Sequence, residues 1–146
     1  MMDKAPDFRI KMHTGIDFHL YSAIKNGPVI LNFIMGTWCP FCTAHIKKIR
    51  EWQEAKGLKK LIVIIISTES IESIRAWSQS NHSSFIFCSD QKREVIDRYG
   101  VNFPIMNISR PATVLVDQDG LIRMNHQGLR NQNLYNGLEA KCLECL

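Results

Sequence analysis

Two almost unbroken apolar runs constrain the fold of this chain more than any other feature of its sequence. Residues 29–35 and 61–66 consist nearly throughout of β-branched and other apolar side chains. Strands of this kind are buried on both faces of a sheet, because a strand with one wet face alternates polar and apolar residues. Between them, residues 40–56 place apolar side chains at helical spacing among charges, and Gly57 stands where a helix would end. We therefore predict strand, helix and strand in succession at the centre of the fold.

The flanking segments extend this alternation to the whole chain. The other predicted elements, in order, are a hairpin at residues 8–12 and 16–20, a helix at 70–80, a strand at 85–88, a helix from Asp90 to Tyr99, a loop at 101–110, strands at 112–116 and 121–125 joined by the turn at 117–120, and a helix at 131–145. This order predicts an α/β fold in a single domain over residues 1–146. A central mixed β-sheet is flanked by helices on both faces, with the N-terminal β-hairpin as an extension.

Composition narrows the classes of function. A length of 146 residues suits one compact domain, and an apolar content of 45% suits a domain with a real core. Lysine and arginine outnumber aspartate and glutamate by 18 to 14, but the basic residues are scattered and form no arginine-rich arm. That distribution is typical of solvated helix faces, so we predict no nucleic-acid binding.

The chain contains no apolar segment suited to a membrane or to export. Its longest apolar run, residues 61–66, is far shorter than the roughly 20 residues of a membrane-spanning helix. Residues 1–7 hold no apolar stretch ahead of a small-residue cleavage site. These observations predict no membrane span and a cytoplasmic location, or a periplasmic or extracytoplasmic one if the chain is a trimmed mature domain.

The cysteines at positions 39 and 42 carry the predicted chemistry. They form a Cys-x-x-Cys pair directly after a predicted buried strand and at the start of a helix. There the free backbone N–H groups and the helix dipole favour negative charge, and Pro40 suits the first helical position. We expect Cys39 to ionise readily and attack a disulfide as a thiolate, and Cys42 to resolve the mixed disulfide. This predicts a thiol–disulfide oxidoreductase that uses no bound cofactor.

Three other interpretations of the pair have to be weighed. A c-type haem would need a histidine directly after the second cysteine, where Thr43 stands. Two inert cysteines are a second interpretation, and the Pro-Phe pair between them, with Trp38 in front, argues against it. A zinc site would need four ligands, and the candidates fall into two groups about 100 residues apart, Cys39, Cys42 and His45 in one and Cys142 and Cys145 in the other. A non-catalytic redox-sensing or zinc-binding module stays open as an alternative, although we expect no metal.

The run GPVILNFIMGTWCPFC at residues 27–42 resembles the active-site segment of the thioredoxin-like superfamily. The resemblance is to its peroxiredoxin-like (AhpC/TSA) branch and its membrane-anchored thioredoxin-like reductases in particular. It extends over about residues 5–128, through APDF at 5–8, YGV at 99–101, RPAT at 110–113 and DQDG at 117–120. It implies a thioredoxin-like fold. It also implies that Pro111 is a cis-proline that lies against the cysteine pair and offers backbone hydrogen bonds to a bound substrate.

The predicted substrate-binding residues surround the cysteine pair. Trp38, Pro40 and Phe41 are expected beside the reactive sulfur, with Arg110 and Pro111 contributed by the later segment. The predicted partners are a protein or small-molecule disulfide or dithiol and an upstream thiol reductant that restores the pair. The sequence leaves the direction of electron flow open.

Peroxiredoxins carry a Pro-x-x-x-Thr-x-x-Cys pattern whose cysteine reduces peroxide with the help of a distant arginine. On this pattern Met35 takes the place of the proline, Cys39 that of the threonine and Cys42 that of the peroxide-reducing cysteine. The resemblance implies that Arg110 corresponds to this arginine. Because two of the three landmarks are missing, disulfide exchange is the preferred function and peroxide reduction by a peroxiredoxin-like thiol peroxidase is the alternative.

Further predictions concern residues outside the motif. Asn32 stands in the strand where thioredoxins bury an acidic residue that relays protons to the inner cysteine, and an amide cannot titrate. His45 could touch the site from the first turn of the helix, but a surface position is the preferred prediction. Cys88 follows apolar strand residues and is predicted to be a buried packing residue. Cys142 and Cys145 share a face of the last helix and could receive electrons from the pair, bridge to another molecule or be inert.

Overall fold

The computed structural model describes residues 3–81, 85–128 and 130–145. A single sheet runs through the described chain, and helices connect most of its strands. In chain order the elements are β1 Arg9–Met12, β2 Asp17–His19, α1 Leu20–Ala23, β3 Val29–Phe33, α2 Pro40–Lys56, β4 Ile62–Ser67, α3 Ile71–Ser80, β5 Ile86–Ser89, α4 Glu94–Arg98, β6 Ala112–Val116, β7 Ile122–Gln127 and α5 Gln132–Cys145.

The sheet has seven strands in the order β2-β1-β5-β4-β3-β6-β7. The central strands β3, β4 and β5 are parallel neighbours, whereas β6 and β7 are added antiparallel at one side. The hairpin β1–β2 pairs antiparallel with β5 and extends the other side. The predicted mixed sheet with an N-terminal hairpin extension is confirmed.

Side chains of β3 alternate between two apolar layers. Val29, Leu31 and Phe33 pack with residues of α1 and α4, whereas Ile30 packs with residues of α2, α3 and α5. Asn32 shares the orientation of Ile30 because side chains alternate along a strand, so it faces α2. Burial on both faces explains the unbroken apolar run and confirms the prediction of helices on both faces. None of the described helices is long and apolar enough to cross a membrane.

Sheet pairing brings four connecting segments to one edge. Because β3 and β4 are parallel, the segments that follow both strands leave the sheet at the same edge. The register of β6 places Ala112 beside Phe33, and the register of β7 places Gln127 beside Ala112. The segments before β6 and after β7 therefore lie next to the β3–α2 junction that carries the cysteine pair.

Two helices differ from prediction. The four-residue α1 directly follows β2 and is too short to show a helical period in the sequence. The helix predicted to start after Asp90 begins at Glu94, because a turn with a left-handed Arg93 (φ 62°) intervenes. The Asp90 carboxylate still accepts hydrogen bonds from the backbone N–H groups of Val95 and Ile96, at 3.1 and 2.9 Å.

The cis-proline expected at Pro111 is wrong. The described chain contains no cis peptide bond, so the bond between Arg110 and Pro111 is trans. The segment enters β6 in an extended course: the Arg110 N–H donates to the Val101 carbonyl at 2.6 Å, and the Pro111 carbonyl accepts from the Gly128 N–H at 2.8 Å. Such a course continues the strand pairing and needs no tight turn, and trans is the favoured form of an X-Pro bond by about 0.5–1 kcal/mol.

Candidate active site

Cys39 and Cys42 lie at the junction between β3 and α2. Cys39 is the N-cap of α2, with extended backbone angles of φ −84° and ψ 119°, and Pro40 is the first helical residue. The fixed φ of proline suits this position, and its missing N–H leaves no donor unpaired. The Cys39 carbonyl accepts from the Thr43 N–H at 3.1 Å, which begins the helix. Both side chains are buried, with 4% of Cys39 and 1% of Cys42 exposed.

Cys42 holds its proton more tightly than a free thiol does. Burial raises its pKa, and a hydrogen bond with Cys39 raises it further. Backbone hydrogen bonds from Gly36 and Met35 lower the pKa of Cys42 and oppose this effect only in part. A thiol that donates its hydrogen to a neighbouring sulfur stabilises negative charge on that neighbour. The arrangement therefore suits Cys42 as the thiol and Cys39 as the nucleophile.

A cavity of about 200 Å³ opens beside the two cysteines. Apolar groups form much of its wall, and the polar groups come from α2, α5 and the segment between β7 and α5. Besides Cys39 and Cys42, the lining residues are Met35, Phe41, Ala44, His45, Lys48, Pro111, Arg130 and Tyr135. A reacting molecule in this cavity would contact the pair, one helix face and the start of β6.

The predicted substrate-binding residues are divided between this cavity and its surroundings. Phe41, which is 75% exposed, and Pro111 both line the cavity. Trp38 is 59% exposed, and its indole folds over Gly36, where an added Cβ atom would lie 2.1 Å from the indole Nε1. Pro40 borders a separate groove between α2 and α3. Exposed aromatic rings thus stand at the rim of a site whose sulfurs are buried.

The structure places Arg130 in the cavity and leaves Arg110 outside it. Arg110 is exposed and is not among the lining residues. Arg130 donates through Nη2 to the carbonyls of Phe33 and Ala112, both at 2.8 Å. The β6–β7 pairing returns the residues after Gln127 to the level of Ala112, and no local sequence pattern indicated this position for Arg130.

Arg130 places a half-buried positive charge beside the sulfurs. Burial lowers its pKa to about 10, while the nearby Cys42, Tyr135 and Cys39 act in the opposite direction. The guanidinium therefore stays protonated at neutral pH. Its Nε donates to the Thr113 hydroxyl at 3.3 Å, which fixes the plane of the group. A cation held this way can stabilise a thiolate or another anion that forms in the cavity.

His45 is buried, so the prediction of a surface histidine is wrong. Only 3% of the residue is exposed, and it lies between Tyr135 and Asn32. The His45 Nδ1 is 2.6 Å from the Tyr135 hydroxyl, and its Nε2 is 2.8 Å from the Asn32 side-chain oxygen. The available signal was helical spacing, because Cys42 and Ile49 share with His45 the inner face of α2.

The charge of His45 fixes the direction of these hydrogen bonds. Burial, with smaller effects of the neighbouring Arg130, His126 and Lys48, lowers its pKa to about 3, so the ring is neutral at pH 7. Asn32 donates through Nδ2 to the Ile64 carbonyl at 3.2 Å, which leaves its oxygen to accept from His45 Nε2. The Tyr135 hydroxyl then donates to His45 Nδ1. Tyr135 is held in one orientation at the cavity wall.

Glu69 fastens the loop that precedes the cysteine pair. One carboxylate oxygen accepts from the Thr37 N–H and the other from the Thr37 hydroxyl, each at 2.7 Å. The Ser67 hydroxyl donates to the same carboxylate at 3.0 Å. Glu69 follows β4 and Thr37 follows β3, so the contact depends on parallel pairing and was not visible in the sequence.

The remaining cysteines lie away from the pair. Cys88 is fully buried in β5, as predicted, and burial raises its pKa. Cys145 lies near Asp117 and Arg123, at the end of β6 opposite to Ala112, and Cys142 lies one turn before it on α5. Burial raises the pKa of Cys142 to about 12. Within residues 3–81, 85–128 and 130–145, no three His, Cys, Asp or Glu side chains are grouped to hold a metal ion.

Comparison with known proteins places this architecture in context. The chain matches the AhpC/TSA family over residues 1–125. It is 29% identical over 128 residues to the thioredoxin-like protein YneN of Bacillus subtilis (strain 168), covering 86% of this chain and 70% of that protein. Its structure is similar to peroxidoxin BcpB of Mycobacterium tuberculosis, with a TM-score of 0.87, 19% identity, and 99% of this chain and 97% of that chain covered. It is also similar to a thiol peroxidase from Chromobacterium violaceum, with a TM-score of 0.82, 18% identity, and 97% and 85% covered. The fold is therefore thioredoxin-like, as predicted.

Proposed function

The chain belongs to the AhpC/TSA family, and we propose that within this family it acts as a thiol–disulfide oxidoreductase whose working pair is Cys39 and Cys42. The observation that carries this proposal is the placement of the two thiols at the start of α2. They hydrogen-bond to each other, and Arg130 supplies a half-buried positive charge beside them. A resolving thiol is thus in place next to the attacking one before any substrate arrives.

In the proposed reaction, the Cys39 thiolate attacks one sulfur of a substrate disulfide. The substrate S–S bond breaks, a bond forms between Cys39 and that sulfur, and the other substrate sulfur leaves as a thiolate that takes up a proton. Cys42 then loses its proton and attacks Cys39, which releases the second substrate thiol. Two electrons pass to the substrate, and the pair is left as a disulfide. An upstream thiol reductant reverses these steps to restore the dithiol.

The surroundings of the pair support this sequence of steps. The N-terminus of α2 and the Arg130 guanidinium both favour the anionic sulfur that attacks. Phe41 and Pro111, which line the cavity, provide apolar surface for the substrate, and the exposed Trp38 directly precedes Cys39. With a pKa of about 3 and both ring nitrogens hydrogen-bonded, His45 is too weak a base to accept the Cys42 proton, which leaves water or the substrate thiolate to receive it.

Peroxide reduction is the second candidate function. Its support is the half-buried Arg130 beside the sulfurs, together with the family to which the chain belongs. In that reaction Cys42 would attack the peroxide to give a sulfenic acid, and Cys39 would condense with it to form the disulfide and release water. Two observations rank this reaction second. Met35 and Cys39 replace the proline and threonine of the peroxiredoxin pattern, and burial raises the pKa of Cys42.

The two functions are separated by following thiol loss in stopped flow. Reduced protein is mixed with a small disulfide or with insulin, and separately with hydrogen peroxide. We expect fast loss of thiols with the disulfides and slow loss with peroxide. Fast peroxide consumption with negligible disulfide exchange would reverse the ranking.

Two variants then assign the roles within the pair. Cys42→Ser should trap a mixed disulfide on Cys39, visible by mass spectrometry, because the resolving thiol is gone. Cys39→Ser should lose the fast phase altogether. Cys145→Ser serves as the matched control, because that cysteine lies at the other end of the sheet. A mixed disulfide that accumulates on Cys42 in the Cys39→Ser variant would exchange the two roles.

A further inference from the structure

Two cations line the cavity without an acidic neighbour. Lys48 projects from α2 and Arg130 from the segment before α5, and both border the cavity that holds the cysteines. In the part of the chain that the structure describes, neither side chain has a carboxylate within ion-pair distance. The lining residues likewise include no aspartate or glutamate. The cavity therefore carries uncompensated positive charge, although Lys48 and Arg130 are far apart in sequence.

Both cations are held in place by neighbouring groups. The Lys48 ammonium lies 4.5 Å from the centre of the Tyr135 ring, and Tyr135 is fixed by its hydrogen bond to His45. Arg130 is fixed by the Phe33 and Ala112 carbonyls through Nη2. A charge that is positioned before binding loses less conformational entropy when an anion arrives. These contacts are typical of a preorganised anion-binding wall.

The two positive charges also lower the pKa of His45, a third residue that lines the cavity. Arg130 and Lys48 both lower the pKa of His45, in addition to the larger effect of burial. The side chains that face the His45 ring are the uncharged Tyr135 and Asn32, and His126 adds to the lowering. Positive potential therefore extends across the wall between Lys48 and Arg130.

The remaining wall of the cavity is apolar. Met35, Phe41, Ala44 and Pro111 line it beside the sulfurs. Phe41, Ala44 and Lys48 follow one face of α2, and Lys48 lies six residues beyond Cys42, which corresponds to about 9 Å along the helix axis. An occupant that fills this space would present an apolar body to the helix face and a negative group to its far end.

From this arrangement we propose that the cavity binds small disulfides that carry a carboxylate close to the S–S bond, with Lys48 as the carboxylate ligand. Arg130 supplies the second positive charge next to the sulfurs, where the leaving thiolate forms. The inference rests on the proposed disulfide exchange and names its substrate class. No new chemical step is added, because the carboxylate binds and does not react.

The test compares two aromatic disulfide probes, one anionic and one uncharged. Dithiobis(nitrobenzoic acid) is a dianion at neutral pH, and dithiodipyridine is uncharged; both release an absorbing thiol. Each is mixed in stopped flow with the reduced wild-type protein, with Lys48→Gln and with Lys47→Gln. The phase assigned to the site is the one that Cys39→Ser loses. Lys47 lies on the same helix and outside the cavity, so its variant controls for the change in net charge.

We expect Lys48→Gln to lower the second-order rate constant for the anionic probe about 5-fold at low ionic strength. Its rate with the uncharged probe, and both rates of Lys47→Gln, should stay within about 2-fold of wild type. Equal losses with both probes would overturn the proposal, as would an equal loss in Lys47→Gln or no loss at all. In those cases exchange with the uncharged probe still demonstrates disulfide chemistry. If the wild-type protein reacts with neither probe, the proposed function itself fails.

Discussion

Arg130 is hydrogen-bonded to the sheet and lines the cavity beside Cys39 and Cys42. The side chain is half-buried, yet its hydrogen bonds to the Phe33 and Ala112 carbonyls and to Thr113 are with neutral groups. Burying a charge costs free energy unless it is paired, and the groups that favour the charged form here are Cys42, Tyr135 and Cys39. An anion that forms on the cysteine pair therefore has a compensating charge already in place.

Replacing Arg130 with methionine tests this role. Arg130→Met removes the charge and keeps much of the volume, so the anionic sulfur loses a stabilising neighbour. We expect the pH at which exchange with dithiodipyridine reaches half its maximal rate to rise by about one unit, with a loss of up to about 10-fold at pH 7. Arg130→Lys should recover part of the rate because it restores the charge.

Arg110→Met is the matched control for that experiment. Arg110 is the arginine that resemblance to the family implies, and its side chain lies outside the cavity. Its variant should keep the wild-type pH profile. A shifted pH profile in Arg110→Met together with an unchanged profile in Arg130→Met would show that Arg110 supplies the charge that favours the anionic sulfur. The role given to Arg130 would then be wrong.

The residues around the pair show what a sequence can predict of such a site. Cys39, Pro40 and Cys42 are adjacent in the chain, and the helix start that activates them is a local structure, so the sequence indicates them directly. Arg130 and Tyr135 reach the same cavity from about 90 residues away, through the β6–β7 register and the packing of α5. No local pattern reports such contacts, because they depend on tertiary geometry.

At the scale of elements, the cysteine pair depends on a loop that two strands hold jointly. The loop between β3 and α2 contains Gly36, Thr37 and Trp38, and Glu69 beyond β4 binds Thr37 through both carboxylate oxygens. Gly36 also hydrogen-bonds to Cys42 through its backbone. The loop thus links the strand pairing of the sheet to the position of Cys42.

Glu69→Gln weakens this contact without changing side-chain volume. An amide offers one acceptor where the carboxylate offers two, so at least one Thr37 donor loses its partner. We expect the free energy of unfolding to fall by about 1–3 kcal/mol. The rate of disulfide exchange should fall as well, and the reduction potential of the pair should shift, because the thiols are positioned less firmly.

The reduction potential of the Cys39–Cys42 pair distinguishes a role of Glu69 in positioning the thiols from a role in protein stability alone. Glu51→Gln, on the exposed face of α2, makes the same chemical change outside the loop and should leave both the potential and the unfolding free energy unchanged. If Glu69→Gln destabilises the protein but keeps the wild-type potential and rate, Glu69 is a structural residue only.

Elements were predicted best where burial is two-sided or periodicity is long. The runs at β3 and β4 and the 17-residue α2 follow directly from residue patterns, and the structure confirms them. The start of α4 was misplaced because Asp90 reaches across a turn to cap it, a contact that spans more residues than an ordinary N-cap. The trans bond at Pro111 follows from strand pairing with β7, which the sequence motif does not report.

At the scale of the whole molecule, the buried ring of His45 makes stability depend on pH. An unfolded histidine titrates near pKa 6.5, whereas burial and the neighbouring cations lower the pKa of His45 in the folded protein to about 3. Between these values the unfolded chain binds one more proton than the folded chain. The contribution to stability is therefore complete above about pH 6.5 and is lost as the pH falls toward 3.

Urea unfolding at several pH values between about 4.5 and 7 measures this contribution. For the wild type, His45 should add a slope approaching about 1.4 kcal/mol of unfolding free energy per pH unit at the acidic end of this range. His45→Gln should be less stable at pH 7, because the Tyr135 and Asn32 contacts are altered, but its slope should be smaller by that amount. The pKa values of Asp7 and Asp117 are lowered, so these residues change the unfolding free energy at lower pH, and they do so equally in both proteins. Equal slopes in the two proteins would show that His45 in the folded protein takes up its proton as readily as an unfolded histidine. That result would contradict a neutral His45 ring that orients Tyr135 toward the cavity.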